Sequence, residues 1–391
     1  MRILVTGGAG FIGSHLVDAL LVEGHAVRVL DNFDAQVHQG RRPSYLNPGA
    51  EYLEGDVRNR ARLREALRDI DAVFHEAAAV GVGQSMYEIE SYVSANALGT
   101  ATLLDVIVAE RLPIRALIVA GSMSAYGEGQ YACAECGPVA PSLRDPSRLR
   151  EDGWELRCPS CRAPVRPVPT PEAKPLSPTS VYAISKRDQE ELCLCVGRAY
   201  GIPTVVLRYF NVYGPRQSLS NPYTGVCAMF SSQLKHRHAP LVFEDGGQTR
   251  DFTPIRDIIQ ANLLVLRDAR AGFRIFNVGT GVPTSIAALA RSLAELYEVP
   301  CEPQITLKFR AGDIRHCYAD ISAIRALGFT PSLALKEGLR ELAAWGIATP
   351  AEDRVEEAAQ ELETRRLVSS QLVSSNRLSS RRADELTSRR A

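Results

Sequence analysis

Residues 1–31 constrain this chain more than any other stretch. Ile3, Leu4 and Val5 form a short apolar run of strand type, and Gly7, Gly10 and Gly13 follow at G-x-x-G-x-x-G spacing. Behind them Phe11, Ile12, Leu16, Leu20 and Leu21 recur at helical intervals, and a second apolar run closes at Asp31. The order is strand, glycine turn, helix, strand. Glycines there permit a tight bend and close backbone approach, so a pyrophosphate can sit on the free amides of the helix N-terminus. Asp31 stands where a carboxylate accepts from adenosine ribose hydroxyls. A 2′-phosphate would meet like charge there, which favours NAD over NADP. The plain alternative is a structural βαβ unit with a tight turn. The flanking strand and helix and the acid at the second strand end agree with a dinucleotide site.

The alternation continues. Residues 51–58 read as a strand leading to Asp56, placed to bond an adenine amine. Residues 72–79 read as a buried strand followed by small residues, beside which a cofactor can lie close. Residues 92–110 have helical periodicity, with Val93, Ala97, Leu103, Leu104 and Ile107 on the inner face. Residues 114–120 are the next strand, ending in Gly121-Ser122-Met123-Ser124-Ala125-Tyr126-Gly127. Four such alternations predict an α/β fold of Rossmann type, a doubly wound parallel sheet with ligands at the carboxyl ends of its strands. Asp31, Asp56, Ala78 and Ser122 fall at those ends. Helices over 180–200, 257–267 and 284–298, strands over 204–208 and 274–278, and a last helix carrying Leu335, Leu339, Leu342 and Trp345 follow. The expected organisation is a first Rossmann part at 1–127, a Cys-rich insert at 128–178 and a return to the Rossmann domain at 179–215. Residues 216–348 are then mainly a smaller substrate-binding domain over the strand ends, with some elements returning to the Rossmann domain.

The insert holds four of the nine cysteines, as Cys133-x-x-Cys136 and Cys158-x-x-Cys161, with residues 137–157 between the pairs. That gap is just beyond usual ribbon spacing. Each pair can give two thiolates to one tetrahedral Zn²⁺, and four cysteines leave no open position, so the metal would be structural. Four unlinked thiols are the alternative. The insert joins the Ser122 strand to the Tyr182 helix, which predicts that it overhangs the pocket as a stiffened lid. Residues 349–391 start acidic, repeat Leu-Val-Ser-Ser and end in Arg pairs, and read as a disordered or loosely helical tail. The formal net charge is zero, so nothing global points to nucleic acid. No apolar stretch reads as a membrane span, and the first residues read as a strand and not as a signal peptide. The expectation is a cytoplasmic protein with neither membrane nor nucleic-acid partners.

Tyr182 and Lys186 are four apart and share one helix face. A nearby ammonium and a positive nicotinamide ring favour the phenolate and move its pKa toward neutrality. A phenolate beside a nicotinamide can take the proton of a sugar hydroxyl while the carbinol hydride leaves, and Ser122 can bond the same hydroxyl. On an arbitrary helix, Y-x-x-x-K is an exposed aromatic and a lysine. Its weight here comes from its place after the glycine motif and Ser122.

Together these pieces resemble the extended short-chain dehydrogenase/reductase superfamily. The matching residues are Gly7-x-x-Gly10-x-x-Gly13, Asp31, Asp56-Val57, His75-x-Ala77-Ala78, Asn96 with Gly99-Thr100, Ser122-x-x-x-Tyr126-Gly127, Tyr182-x-x-x-Lys186 and Arg208-Tyr-Phe-Asn211. The resemblance spans about residues 1–347 apart from the insert, and it implies nucleotide-sugar chemistry. It implies Ser122, Tyr182 and Lys186 as the catalytic set. The cofactor contacts expected with it are Gly7, Gly10, Phe11, Ile12, Gly13, Asp31, Asn32, Asp56, Val57, Ala77, Ala78, Asn96, Tyr182 and Lys186. Substrate contacts are Ser122, Ser124, Asn211, Arg216, Val226, Arg250 and Arg310, with Asn211, Arg250 and Arg310 on the nucleotide diphosphate. The ordinary reading of either Arg250 or Arg310 is a surface charge or a core-edge salt bridge.

Within the superfamily, 4,6-dehydratases carry an Asp-Glu pair where this chain has Met123 and Ser124. Decarboxylating members carry Glu at the place of Ser124. Reductases of the group draw on NADPH, which Asp31 disfavours. What remains is 4-epimerisation with a retained NAD. Arg208 to Gln217, the segment 221–225 and the double C-x-x-C insert look most like the dTDP-L-rhamnose 4-epimerase group, with UDP-hexose as the main rival substrate class. An oxidoreductase or dehydratase, and a non-catalytic NAD-binding scaffold, are further readings. The resemblance also implies a homodimer through the helices at 92–110 and 182–200.

Overall fold

The computed structural model describes residues 1–145, 149 and 153–369. Its first half alternates strand and helix: β1 (Arg2–Thr6), α1 (Phe11–Val22), β2 (Ala26–Asp31), α2 (Ala35–His38), β3 (Glu51–Glu54), α3 (Arg60–Ala66), β4 (Ala72–His75), α4 (Ile89–Val93), α5 (Gly99–Ala109) and β5 (Ala116–Ser122). The insert contributes β6 (Gln130–Cys133), β7 (Gly137–Val139) and β8 (Val165–Val168). Then come α6 (Val181–Tyr200), β9 (Thr204–Tyr209), β10 (Asn211–Tyr213), α7 (Val226–Lys235), β11 (Leu241–Val242), β12 (Thr249–Pro254), α8 (Ile255–Arg267), β13 (Arg274–Val278), β14 (Pro283–Ser285) and α9 (Ile286–Leu296). The chain continues through β15 (Gln304–Ile305), β16 (Phe309–Arg310), β17 (His316–Cys317), α10 (Ser322–Arg325), α11 (Leu335–Ala348), α12 (Val355–Thr364) and β18 (Val368–Ser369).

Seven parallel strands form the main sheet in the order β13-β9-β5-β4-β1-β2-β3. Both faces are covered, which is why its strands read as continuous apolar runs and not as alternation. Ile3 and Val5 pack into one buried cluster with Leu16 and Leu20 of α1 and Ile258 and Val265 of α8. Leu4, between them, points to the opposite cluster with Leu63 of α3, Leu103 and Ile107 of α5 and Cys193 of α6. The smaller domain packs α7, α9 and α11 around Phe230, Leu289, Leu293, Leu339 and Leu342, beside β10, β12, β14 and β17.

Three expectations need correction here. Residues 89–109 form one helical stretch, through a π turn at Ser94–Leu98, and are by length and composition apolar enough to cross a membrane, with a mean hydropathy of 1.4. The stretch packs one face against α6 and the sheet, burying Leu103, Leu104 and Ile107, which accounts for its apolar character. The described residues of the insert do not form a lid: none of them from 128 to 178 lines the cleft described below. The insert packs against β17 and its flank, where the Gly129 amide donates to the His316 carbonyl at 2.8 Å and the Thr170 amide to the Tyr318 carbonyl at 2.8 Å, and against β13, where Asn277 Nδ2 donates to the Thr170 carbonyl at 2.9 Å. Finally, the tail is folded as far as residue 369. Val355, Ala358 and Leu362 of α12 are buried, and β18 pairs antiparallel with β16. Their i, i+3, i+7 spacing was a helix signal hidden by the acidic composition around it. Residues 370–391, with the second Leu-Val-Ser-Ser repeat and the Arg pairs, lie outside the described residues.

Candidate active site

A cleft of about 1150 Å³ runs along the carboxyl ends of the main sheet and under the smaller domain. Its first part is the glycine turn. Gly7 has a left-handed φ of 69°, and a Cβ on it would come within 2.8 Å of the Ala77 backbone. A Cβ on Gly13 would strike the Gly7 carbonyl. The N-cap of α1 is Gly10, and no side chain caps the helix, so its leading amides are open to an anion in the cleft. Phe11, Ile12, Asn32, Val57, Ala77 and Ala78 line the same wall.

Asp31 is buried at the end of β2, where Oδ2 accepts from the Ala9 amide and Oδ1 from the Phe33 amide, both at 2.9 Å. It therefore ties the glycine turn to β2 while lining the cleft. Asp56 also lines it. Arg58 holds the Asp56 carboxyl below its usual range through bonds of 2.8 and 2.6 Å, and Asn32 Nδ2 donates to it at 3.3 Å. These groups fit an NAD: open helix amides for the pyrophosphate, a carboxylate for the ribose and small residues where the cofactor backbone passes.

Asn96 is the expected cofactor residue that the structure does not bring to the cleft. It is fully buried in the π turn, where Oδ1 accepts from the Ala79 amide at 2.7 Å and Nδ2 donates to the Ala79 carbonyl and to Ser185 Oγ. It shapes the loop after β4 and clamps it to α6.

Ser122 ends β5, and its hydroxyl lies 2.7 Å from that of Ser124. Helix α6 starts at a Ser180 cap whose Oγ accepts from the Ala183 amide at 3.1 Å, which sets Tyr182 in the first turn and Lys186 one turn on. The Tyr182 amide donates to Ser85 Oγ at 3.0 Å, and its ring meets that of Tyr92 edge-on. Ser122, Tyr182 and Lys186 line the cleft together. The expected move of the phenol toward neutrality depends on the Lys186 ammonium together with a nicotinamide cation. Burial pushes the Tyr182 phenol up, against the Ser122 hydrogen bond. The Lys186 ammonium is instead brought down to about 8 by burial, with the Glu76 carboxyl opposing the fall. His75, behind this wall, drops to about 3 by burial and stays neutral between the hydroxyls of Thr6 and Thr100.

The far end holds the substrate candidates. Asn211 lines the cleft with its buried Oδ1 unpartnered. Val226 opens α7, whose Gly225 N-cap supplies no side-chain cap. Arg250 donates to the carbonyls of Thr249, Arg315 and Ile314 at 2.8, 2.9 and 2.6 Å, which fixes its guanidinium in the wall. Arg310 is oriented by Asp313 at 2.8 Å. Arg216 lines the cleft but leans toward α1, with its guanidinium 2.7 Å from Asp18 and over the Tyr45 ring. Sequence reading missed Glu76, which lines the cleft from the unassigned position of His75-x-Ala77. An acid directly after a fully buried strand was the available signal. It also missed Ala358 and Leu362 of α12, which line the mouth.

Away from the cleft, the four insert thiols lie within 4.8 Å of one another. A residue with left-handed φ follows each pair, Gly137 at 75° and Arg162 at 64°, so the two turns match. The backbone amide of Cys161 draws the Cys158 thiol down to about 6. The donor set is that of a closed tetrahedral site.

The sequence profile of the NAD dependent epimerase/dehydratase family matches residues 3–143 and 160–279. A dTDP-L-rhamnose 4-epimerase from Burkholderia thailandensis is 35% identical over 348 residues, covering 88% of this chain and 94% of that one. Among solved structures, UDP-glucose 4-epimerase of Thermotoga maritima with UDP-glucose superposes with a TM-score of 0.72 at 29% identity, over 88% of this chain and 98% of that one. UDP-glucuronic acid 4-epimerase of Bacillus cereus, in complex with UDP-glucuronic acid and NAD, gives 0.72 at 27% identity, over 88% and 99%. The family profile spans more than half of the chain and the Burkholderia relative nearly all of its described length, and the protein belongs to the NAD dependent epimerase/dehydratase family.

Proposed function

We propose that the protein is an NAD-dependent nucleotide-sugar 4-epimerase acting on a dTDP-6-deoxyhexose such as dTDP-L-rhamnose. The observation that carries the reaction type is the convergence of Ser122, Tyr182 and Lys186 on the cleft, with Met123 and Ser124 where an eliminating acid pair would stand. Tyr182, as phenolate, takes the proton of the sugar 4-hydroxyl, and Ser122 orients that hydroxyl. Bound NAD supplies a nicotinamide that accepts the 4-hydride and returns it to the opposite face. Arg250 and Arg310 hold the diphosphate while the ring turns. The cleft's size supports that rotation.

The sugar assignment is supported by the 35% identity to the dTDP-L-rhamnose enzyme. UDP-hexose is the second reading, favoured by the fold similarity to the UDP-glucose-bound enzyme. A panel of dTDP- and UDP-sugars deuterated at the 4-carbon, read by NMR, tests both. Deuterium should be retained in the 4-epimer, with the fastest turnover on the dTDP-6-deoxyhexose. Label lost to solvent contradicts the mechanism. Tyr182→Phe should cut turnover by about 10²–10⁴-fold with NAD still bound.

The insert is read as a structural Zn²⁺ site. A homodimer through α4, α5 and α6 is supported by Ile89, Val93, Leu98 and Ile184, large apolar side chains left exposed on those elements.

A further inference from the structure

Glu76 directly follows β4 and lines the cleft together with Ser122, Tyr182 and Lys186. Its Oε1 accepts from the Tyr209 hydroxyl at 2.9 Å, and that hydroxyl accepts from Asn262 Nδ2 at 2.8 Å. In the sheet, β5 lies between β4 and β9, with Ser122 in register with Tyr209. The Glu76–Tyr209 bond therefore crosses the strand that ends in Ser122. Asn262 anchors the pair from α8, on the opposite face of the sheet from Lys186. Among the described residues Glu76 makes no direct ion pair, and Lys186 is the cation that acts on it.

The proton chemistry assigned to Tyr182 and Ser122 leaves this carboxylate without a task. A half-buried carboxylate with one neutral donor is costly to ionise unless a positive charge stands nearby. Lys186 is one such charge. An oxidised nicotinamide is a second, because the reacting ring must lie against Tyr182 and Ser122 and carries a positive charge only in its oxidised form. We propose that Glu76, oriented by Tyr209, is an electrostatic partner of the oxidised nicotinamide and biases the bound cofactor toward NAD⁺. This rests on the 4-epimerase reading, in which the cofactor must be oxidised again at the end of every turnover. The bias favours return of hydride to the keto sugar over release of that intermediate from a reduced enzyme. Desolvation raises the Glu76 carboxyl above its ordinary range, and the Lys186 ammonium opposes the rise.

The test is a redox titration of the holoenzyme. Wild type, Glu76→Gln and Tyr209→Phe are equilibrated with a viologen-mediated redox buffer at one pH, and reduced nicotinamide is read by its near-ultraviolet absorbance. Glu76→Gln should raise the ratio of reduced to oxidised cofactor by at least about tenfold at a given potential, an upward shift of about 30 mV for a two-electron couple. Tyr209→Phe keeps the carboxyl but removes its donor, and should shift the ratio in the same direction by a smaller factor. A Glu76→Gln ratio within about twofold of wild type, with bound nicotinamide unchanged, overturns the proposal. If Glu76→Gln does not retain cofactor, Tyr209→Phe decides, and an unshifted ratio there overturns it equally. Retention of the 4-deuterium by wild type tests the epimerase reading separately, so failure of the one is distinguishable from failure of the other.

Discussion

Arg315 of the smaller domain donates to Glu155 of the Cys-rich insert at 2.6 Å through Nη2 and at 2.9 Å through Nε. The other Glu155 oxygen lies 2.9 Å from His316 Nε2. Arg315 also supplies one of the carbonyls that anchor Arg250. The insert thus braces the back of the proposed phosphate site and leaves its mouth to α12. A second clamp, Arg144 to Glu244 at 2.7 Å with Glu128 alongside, is buried.

His316 and Arg315 hold the Glu155 carboxyl down to about 2 from its ordinary 4.5. With the folded value depressed, the stabilisation is complete above about pH 4.5 and is lost as pH falls through about 2. The Glu155 side chain is 58% exposed, so solvent screens much of the effect. Glu155→Gln should flatten the acid limb of stability against pH in that window, measured as denaturation midpoints. An unchanged limb would show that the contact does not contribute.

Purified protein should carry about one zinc per chain, since one tetrahedral ion uses all four thiolates. Cys158→Ser should lose the metal and lower the midpoint of thermal unfolding, while bound nicotinamide remains, because no described insert residue lines the cleft. Metal analysis finding no zinc in chelator-free preparations removes the assignment.

Arg208 and Glu190 form a nearly fully buried pair between β9 and α6, with Nε to Oε2 at 2.9 Å, and Arg208 also donates to the Tyr126 hydroxyl at 2.7 Å. Removing one partner leaves the other charge buried. Arg208→Leu should therefore destabilise the fold by about 3–5 kcal/mol, read by chemical denaturation, with a loss below about 1 kcal/mol contradicting the estimate.

Asp31→Ala should reduce the preference for NAD over NADP and weaken NAD binding itself. It removes both the proposed ribose acceptor and the two backbone bonds that Asp31 makes to the Ala9 and Phe33 amides, each worth about 1.5–3 kcal/mol for a charged acceptor. Cofactor affinities of wild type and variant check this. Equal affinity of the wild type for NADP would rule out the ribose role.

The parallel sheet was legible because each strand between two helical layers must be apolar on both faces, and such runs alternate with helical spacing from Ile3 onward. The glycine turn, the four-residue interval from Tyr182 to Lys186 and the two C-x-x-C pairs were legible for the same reason: each is a local geometry set by a few adjacent dihedrals. Composition misled where a local property served a distant contact. The apolar helix at 89–109 is explained by α6 and the sheet, and acidic α12 by the cleft mouth over which it folds.

What the tertiary structure alone decided are contacts between residues far apart in the chain. Glu76 meets Tyr209 across 133 positions and Glu155 meets Arg315 across 160. Asn96 turned inward because the Ala79 backbone and Ser185 were there to satisfy its amide. The described part of the insert settled behind Arg250 because the partners for its charges Arg144 and Glu155, namely Glu244 and Arg315, lie on that side. Sequence periodicity determines which face of an element is buried. Which residues from distant elements then meet on that face depends on packing and charge pairing across the whole chain, and that is how Glu76 came to face Tyr209 in this site.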